Sequence, residues 1–405
     1  MRDVLIIGGG PGGLATARQL ATRGFDVGLF EEHSSIGDPV HCTGVLAVEA
    51  FAELALPHDI ILNPLHTARF YSPSGRSISH TTPDAEAVAI DRLALDRTLF
   101  AAARAAGVTL EIGRRVTDLQ VDDHGVSVTL GDGTSERARA CVLACGAQYA
   151  VQRRLGMGLP SVFLQSAQLE LPASRAGDVE VHFGRRVAPG GFAWAVPVQR
   201  PGRSCARVGL MCDRDAGAHF RSFVASISKR WGLELPADTQ PRQKVLPLAP
   251  IARSFSRRVL AVGDAAGIVK ATTGGGIYYS LLSAAMAAET LIEGLRLDRL
   301  DAAALAPYES AWRARLGPEL KAQLRLRALS RRLTDTDIDD FFHLAQTDGV
   351  MPIVRATAKF NRHRELILSL LRHPPARDVL LRRIGGNRRS AAPVFASQEQ
   401  VPSSN

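Results

Sequence analysis

The chain has 405 residues, 46% hydrophobic and 22% charged, a soluble globular composition too long for one small core, so two or three structural units are expected. The formal net charge of +9 suits anionic lipid or phosphate-bearing ligands; nucleic acid is set aside because no helix-turn-helix, zinc-finger or RNA-binding aromatic signature occurs. The five cysteines are odd in number and contain no CxxC, which favours reduced thiols in the cytoplasm over a disulfide framework or a metal site.

The first predicted element is Val4–Ile7, a wholly apolar strand of the kind a parallel sheet buries. With a strand starting so early, no signal peptide is expected. Gly8-x-Gly10-x-x-Gly13, with Gly12 between, then opens a helix carrying Leu14, Ala17 and Leu20 at helical spacing. A second strand, Val27–Phe30, ends at Glu31. Gly8 permits a tight turn, Gly10 lets backbone approach a pyrophosphate, and Gly13 lets helix and strand pack closely. The helix N-terminus attracts phosphate, and Glu31, with Glu32 able to share the role, bonds a ribose hydroxyl. An acid there favours FAD or NAD over NADP.

Next comes the loop "IGDPVHCTGVLA" (36–47). Arg92 then starts an amphipathic helix that leads into a strand. Three short strands follow, with Val116 opening the first and turns at Asp123-His124-Gly125 and Gly131-Asp132-Gly133. The third ends in Ala144-Cys145-Gly146. Residues from about 160 to 246 read as an antiparallel sheet, with one face able to cover a flavin and a helix over 218–232 on the other. Within it, Phe192, Trp194 and Val196 alternate with alanines and share one face of a strand. The strand Val259–Val262 runs into Gly263-Asp264, and Gly274-Gly275-Gly276 opens a buried helix at Ile277. Asp264 can accept a ribityl hydroxyl, and the glycine turn can hold an anionic or carbonyl group on its N–H groups.

From about residue 300 the pattern is helical. Leu366, Leu368, Leu370 and Leu371 form a stripe among arginines, which fits a basic amphipathic helix at an anionic membrane surface or one packed on the body. No apolar run reaches the ~18–20 residues of a bilayer span. The stretch 390–405 is low in apolar content and is expected to be disordered.

The paired glycine motifs resemble the two FAD fingerprints of the aromatic-hydroxylase-like flavoproteins, in which an arginine at the place of Arg92 reaches the FAD. Pro39-Val40-His41-Cys42-Thr43-Gly44 resembles the loop of the geranylgeranyl reductase family that carries a cysteine close to the isoalloxazine. Pro189, Phe192, Trp194 and Pro197 resemble that family's P-x-x-Y-x-W-x-F-P motif lining a prenyl pocket, with Phe192 for Tyr and Val196 for Phe. Thr273–Ile277 and the acidic helix start at 333–342 are similar to it too. The resemblance covers the chain to about residue 385. Cys145 stands where these flavoproteins usually have Asp, which weakens a conventional NAD(P)H-using hydroxylase.

The resemblance implies an α/β fold: an FAD-binding Rossmann-type βαβ domain (1–62, 83–155 and 245–300), an antiparallel-sheet substrate domain (63–82 and 156–244) and a C-terminal helical region (301–389). It implies hydride reduction of C=C bonds in a prenyl chain, with FAD as cofactor and NADPH or another reductant as donor. FAD is expected on Gly8, Gly10, Gly12, Gly13, Glu31, Glu32, Cys42, Thr43, Arg92, Val116, Asp264, Gly275, Gly276 and Ile277. Cys42 is the catalytic candidate, tuning the flavin or relaying a proton, with Tyr278 and Tyr279 as other proton sources. Phe192, Trp194, Pro197 and Tyr278 are expected at the substrate. A cytoplasmic monomer is expected, with peripheral contact at the inner membrane face as one of the two readings of the basic helix. The alternative is a flavin monooxygenase or halogenase, since Phe-x-Trp-x-Val-Pro also resembles the halogenase W-x-W-x-I-P; the loop lysine of halogenases is missing between residues 32 and 83. An electron-transfer flavoprotein would need clustered cysteines for an iron–sulfur centre, and these are scattered.

Overall fold

A computed structural model describes residues 1–235, 239–347 and 349–383; the expected tail, 390–405, lies outside them. Two large sheets organise the molecule. The first has eight strands, with Arg2–Ile7 near its centre, parallel to both Ser135–Leu143 and Val27–Glu31. Thr109–Ile112 continues it on one side and Val259–Ala261 on the other, both parallel. Val116–Val121 and Val126–Leu130 fold back antiparallel on Ser135–Leu143. The central strands are apolar on both faces because helices cover both faces: Val4, Leu5 and Ile6 are wholly buried. The helices Pro11–Ala21 and Ile277–Arg296 pack together closely. A β-carbon on Gly12 would stand 2.5 Å from Ser280 Oγ, so only glycine allows that approach.

The second sheet has seven strands in the order Arg242–Pro247, Phe163–Pro172, Arg203–Cys212, Phe192–Arg200, Val179–His182, Thr67–Tyr71, Ser77–Thr81. It is not wholly antiparallel, as the sequence suggested: Val179–His182 runs parallel to Thr67–Tyr71. Those two strands lie more than a hundred residues apart, so no hairpin dictates their sense, and local patterning carries no signal for it. A small third sheet joins Val45–Ala47, Ala87–Ile90 and Ile61–Leu65.

Alternation divides the second sheet into two faces. Ala193, Ala195, Val208 and Leu210 pack against Phe220, Phe223 and Trp231 of the helix Ala216–Trp231. The other face carries Phe192, Trp194, Met211, Leu164 and Leu246 and meets Val269 and Ala271 of the first domain's glycine-rich segment. The site lies on this second face.

The helices Ala302–Ser330, Asp335–Thr347, Val350–Thr357, Arg364–Arg372 and Pro374–Leu381 complete the chain. The leucine stripe lies within Arg364–Arg372, and its Leu366, Leu370 and Leu371 pack inward with Leu333, Val350 and Leu380. The stripe is therefore a core face and not a membrane face: four short helices must bury an apolar stripe against one another to be stable. Among the described residues no helix is long and apolar enough to cross a membrane.

Candidate active site

The C-terminal ends of the parallel strands open onto a groove of about 230 Å³, partly open to water. Gly8 adopts φ +111°, and a β-carbon there would stand 2.4 Å from the Ala144 carbonyl; one on Gly13 would stand 2.1 Å from Gly8 O. Gly10 differs, because its β-carbon would meet nothing within 4 Å. It opens on the groove and caps the helix Pro11–Ala21 without a side-chain acceptor. That leaves the first N–H groups of the helix for an anion. Glu31 Oε2 accepts from Gly9 N at 2.7 Å and Oε1 from His33 N at 3.0 Å. Glu32 accepts from Gln148 Nε2 at 3.0 Å and lies 3.5 Å from Arg115. Val116 lines the same groove. An open helix N-terminus beside a strand-end carboxylate fits the pyrophosphate and ribose of FAD.

Farther along the groove, Arg92 pairs with Asp96 across one helical turn at 2.8 Å. Burial pushes the Asp96 carboxyl up, and Arg92 opposes it. Cys42 Sγ lies against Arg92 and accepts from Gly44 N at 3.3 Å. Lys244 reaches Asp264 Oδ2 at 3.3 Å. Burial, then the charges of Lys244 and Arg242, hold the His41 imidazole below its ordinary pKa. Asp96 and Lys244 escaped the sequence reading. Asp96 had a legible signal, its i,i+4 spacing from Arg92. Lys244 had none, since only the pairing of its strand with Phe163–Pro172 brings it here.

The cysteine loop is strapped to the sheet. Thr43 Oγ1 donates to Gln168 Oε1 at 3.0 Å. Arg207, 5% exposed, donates to Thr43 O at 2.6 Å, to Ile90 O at 2.8 Å and to Glu170 at 2.9 Å. Burial alone would raise Glu170, but Arg200 and Arg207 hold it below its ordinary value. Cys145 lines the groove in place of the expected acid, and burial pushes its thiol up to about 11. It stays protonated and brings no charge there.

Phe192 and Trp194 stand 5.7 Å apart, centroid to centroid, within the apolar cluster of Leu164, Met211, Leu246 and Val269. Trp194 Nε1 is buried and unpartnered among the described residues. The cluster abuts the glycine turn: a β-carbon on Gly274 would lie 3.1 Å from Leu246 Cδ1 and 3.5 Å from Met211 Sδ. Lys270 closes this turn through its backbone, accepting from Gly274 N at 2.8 Å and donating to Gly275 O at 3.1 Å. A β-carbon on Gly276 would lie 2.8 Å from Asp264 Oδ1, so the two halves of the second fingerprint touch. Ile277 is the first residue of the helix after it.

Two expected substrate residues stand apart from that cluster. Pro197 has the opposite strand parity to Trp194, and its carbonyl accepts from Asn63 at 3.3 Å. Tyr278 donates its hydroxyl to Glu53, whose other oxygen takes Arg315. Burial and Glu53 push that phenol well up, and burial takes Tyr279 to about 12.

Residues 1–161 match the family model described as an FAD binding domain. A digeranylgeranylglycerophospholipid reductase of Methanothermobacter thermautotrophicus is 29% identical over 83% of this chain and 90% of its own. Another, of Methanococcoides burtonii, is 28% identical over 88% and 93%. Among solved structures, a geranylgeranyl bacteriochlorophyll reductase-like protein of Thermoplasma acidophilum superposes with a TM-score of 0.80 at 20% identity, covering 94% of this chain and 98% of that one. A halogenase follows at TM-score 0.64 and 15% identity.

Proposed function

We infer that this chain, an FAD-dependent oxidoreductase of the geranylgeranyl reductase family, saturates C=C bonds in a prenyl chain carried on a lipid or a diphosphate. One observation carries the reading: the apolar sheet face bearing Phe192 and Trp194 packs against the Gly274–Gly276 turn, and the Cys42 loop is tied to that sheet through Thr43 and Gln168. FAD, when bound, supplies the hydride; the protein's part is binding, orientation and exclusion of water. Gly10 and the helix N-terminus behind it would hold the pyrophosphate, Glu31 the ribose, and Arg92, Asp264 and the glycine turn the flavin side. Phe192, Trp194, Met211 and Leu246 wall the alkene with few polar groups, as an isolated double bond requires.

Saturating a C=C bond takes a proton as well as the hydride, one to each carbon of the bond. Cys42 is the residue we assign to tuning or relay there. The hydroxyl of Tyr278 is held by Glu53, which makes it the poorer donor. NADPH or another two-electron donor would recharge the protein. The test is anaerobic incubation of the dithionite-reduced protein with geranylgeranyl diphosphate and geranylgeranylated ether lipid, read by mass. Shifts of +2 per saturated bond are expected. Their absence, with hydroxylated or halogenated product only in air, would overturn the reading.

A further inference from the structure

Beyond the groove, the strands Phe192–Arg200 and Arg203–Cys212 open at the end away from their turn. There Pro189 O accepts from Asp213 N at 2.8 Å, and Pro189, Gly190, Asp213 and Arg214 line one side of a cleft of about 340 Å³. Arg185, Arg214, Arg331 and His219 line it. Its acid, Asp213, packs on Gly190 and lies 3.6 Å from Arg331. Asp335 at the rim accepts from the backbone N–H of Arg185 at 2.9 Å.

Behind the cleft lies Arg327, 6% exposed, whose Nη2 donates to Gly190 O at 2.8 Å. Its Nε is buried without an acceptor, and it forms no ion pair among the described residues. Burial drives this guanidinium down to about 10, with Asp213 opposing and Arg331 adding to the effect. A buried cation without a paired anion is costly, and an incoming anion would offset that cost. Leu324, Arg327 and Arg331 fall at i, i+3 and i+7 of one helix, so they share a face. Leu324 belongs to the apolar cluster with Phe192 and Trp194. That helix face therefore links the cluster holding the two aromatics to the arginines.

We propose that this basic cleft binds the phosphate or diphosphate headgroup of the substrate whose prenyl chain lies along Phe192 and Trp194. The proposal rests on the prenyl-reductase reading for the chain's position; the charge of the cleft does not. Arginine suits the task because its planar fork donates two parallel hydrogen bonds to phosphate oxygens. The headgroup would be a diphosphate ester or the phosphate of a glycerolipid.

The experiment uses the full-length, FAD-loaded protein and two variants, Arg214→Gln/Arg331→Gln and Arg327→Met. Reduction is followed with geranylgeranyl diphosphate, a geranylgeranylated ether phospholipid and the uncharged geranylgeraniol. Pyrophosphate binding is measured by calorimetry at low salt. The double variant is expected to raise KM at least tenfold on one or both phosphorylated substrates while geranylgeraniol stays within twofold. It should weaken pyrophosphate at least tenfold. The phosphorylated substrate showing the larger change is the source of the headgroup. Equal losses on all three substrates, or KM unchanged within twofold on both phosphorylated ones, would overturn the proposal. If the wild-type protein reduces none of them, the prenyl-reductase reading falls, and pyrophosphate binding equal in wild-type protein and double variant would then sink the cleft separately.

Discussion

Replacing Gly209 by alanine inserts one methyl group behind Trp194. The new carbon would lie 2.5 Å from Trp194 Cζ2, 2.7 Å from Cε2 and 2.8 Å from Gln168 Cβ. Carbon atoms settle at about 3.5–4.0 Å, so something must move by roughly 1 Å. The backbone is not the obstacle, since Gly209 has no positive φ. Gln168 cannot yield easily: its strand is laddered on both sides and its side chain holds Thr43. The indole is therefore displaced into the apolar cluster of Phe192, Met211 and Leu246. Overpacking of this kind costs about 1–3 kcal/mol, and a 1 Å misplacement at a reacting geometry costs on the order of a hundredfold in rate. Urea unfolding followed by tryptophan fluorescence reads the first, and anaerobic prenyl reduction the second. The alanine should cost clearly less in a Trp194→Leu background, where only the Gln168 contact persists, giving a coupling of about 0.5–3 kcal/mol. Stability and rate within twofold of wild type, or no coupling, would refute the packing account.

Arg207→Met should lower stability by about 3–5 kcal/mol, because it strands two carbonyls and part of Glu170 in a buried network; it should also weaken FAD binding by loosening the Cys42 loop, and Arg207→Lys should not restore it. Thermal melts and flavin titration check both, and wild-type FAD affinity in Arg207→Met would contradict the strap. Lys270 is 3% exposed, with Nζ donating to Asn361 Oδ1 at 2.6 Å and Phe360 O at 3.1 Å, and burial lowers its amine to about 7. Between about pH 7 and the ordinary 10.5 the unfolded chain holds a proton that the folded chain sheds, so stability relative to Lys270→Met rises with pH, by at most about 1.4 kcal/mol per pH unit. Below about pH 7 the amine is charged in both states and the difference levels off. Urea titrations from pH 6 to 9 measure this, and a difference flat across that range would show the amine titrating normally.

The FAD half was legible because its signals are local. A glycine that must approach a carbonyl, an acid at a strand end and a glycine that opens a helix sit at fixed short spacings, so the places of Gly8, Gly13, Glu31 and Asp264 in the fold could be read from the chain itself. The aromatic strand was half legible: period-two alternation put Phe192 and Trp194 on one face, and the same rule separates Pro197 from them. The leucine stripe at 366–371 left two readings open, because an apolar helix face looks the same whether lipid or neighbouring helices cover it.

What the sequence by itself determined is therefore the cofactor class, the order of the elements and the face on which the aromatics lie, since each follows from chain geometry over a few residues. Only the tertiary structure decided what those faces meet. It turned Phe192 and Trp194 toward the glycine turn eighty residues later, drew Lys244 to Asp264 and Arg207 to the Cys42 loop, and set Arg327 and Arg331 at the open end of the aromatic strand. These contacts join residues far apart in the chain; they arise from sheet order and helix packing, for which no spacing rule along one sequence exists.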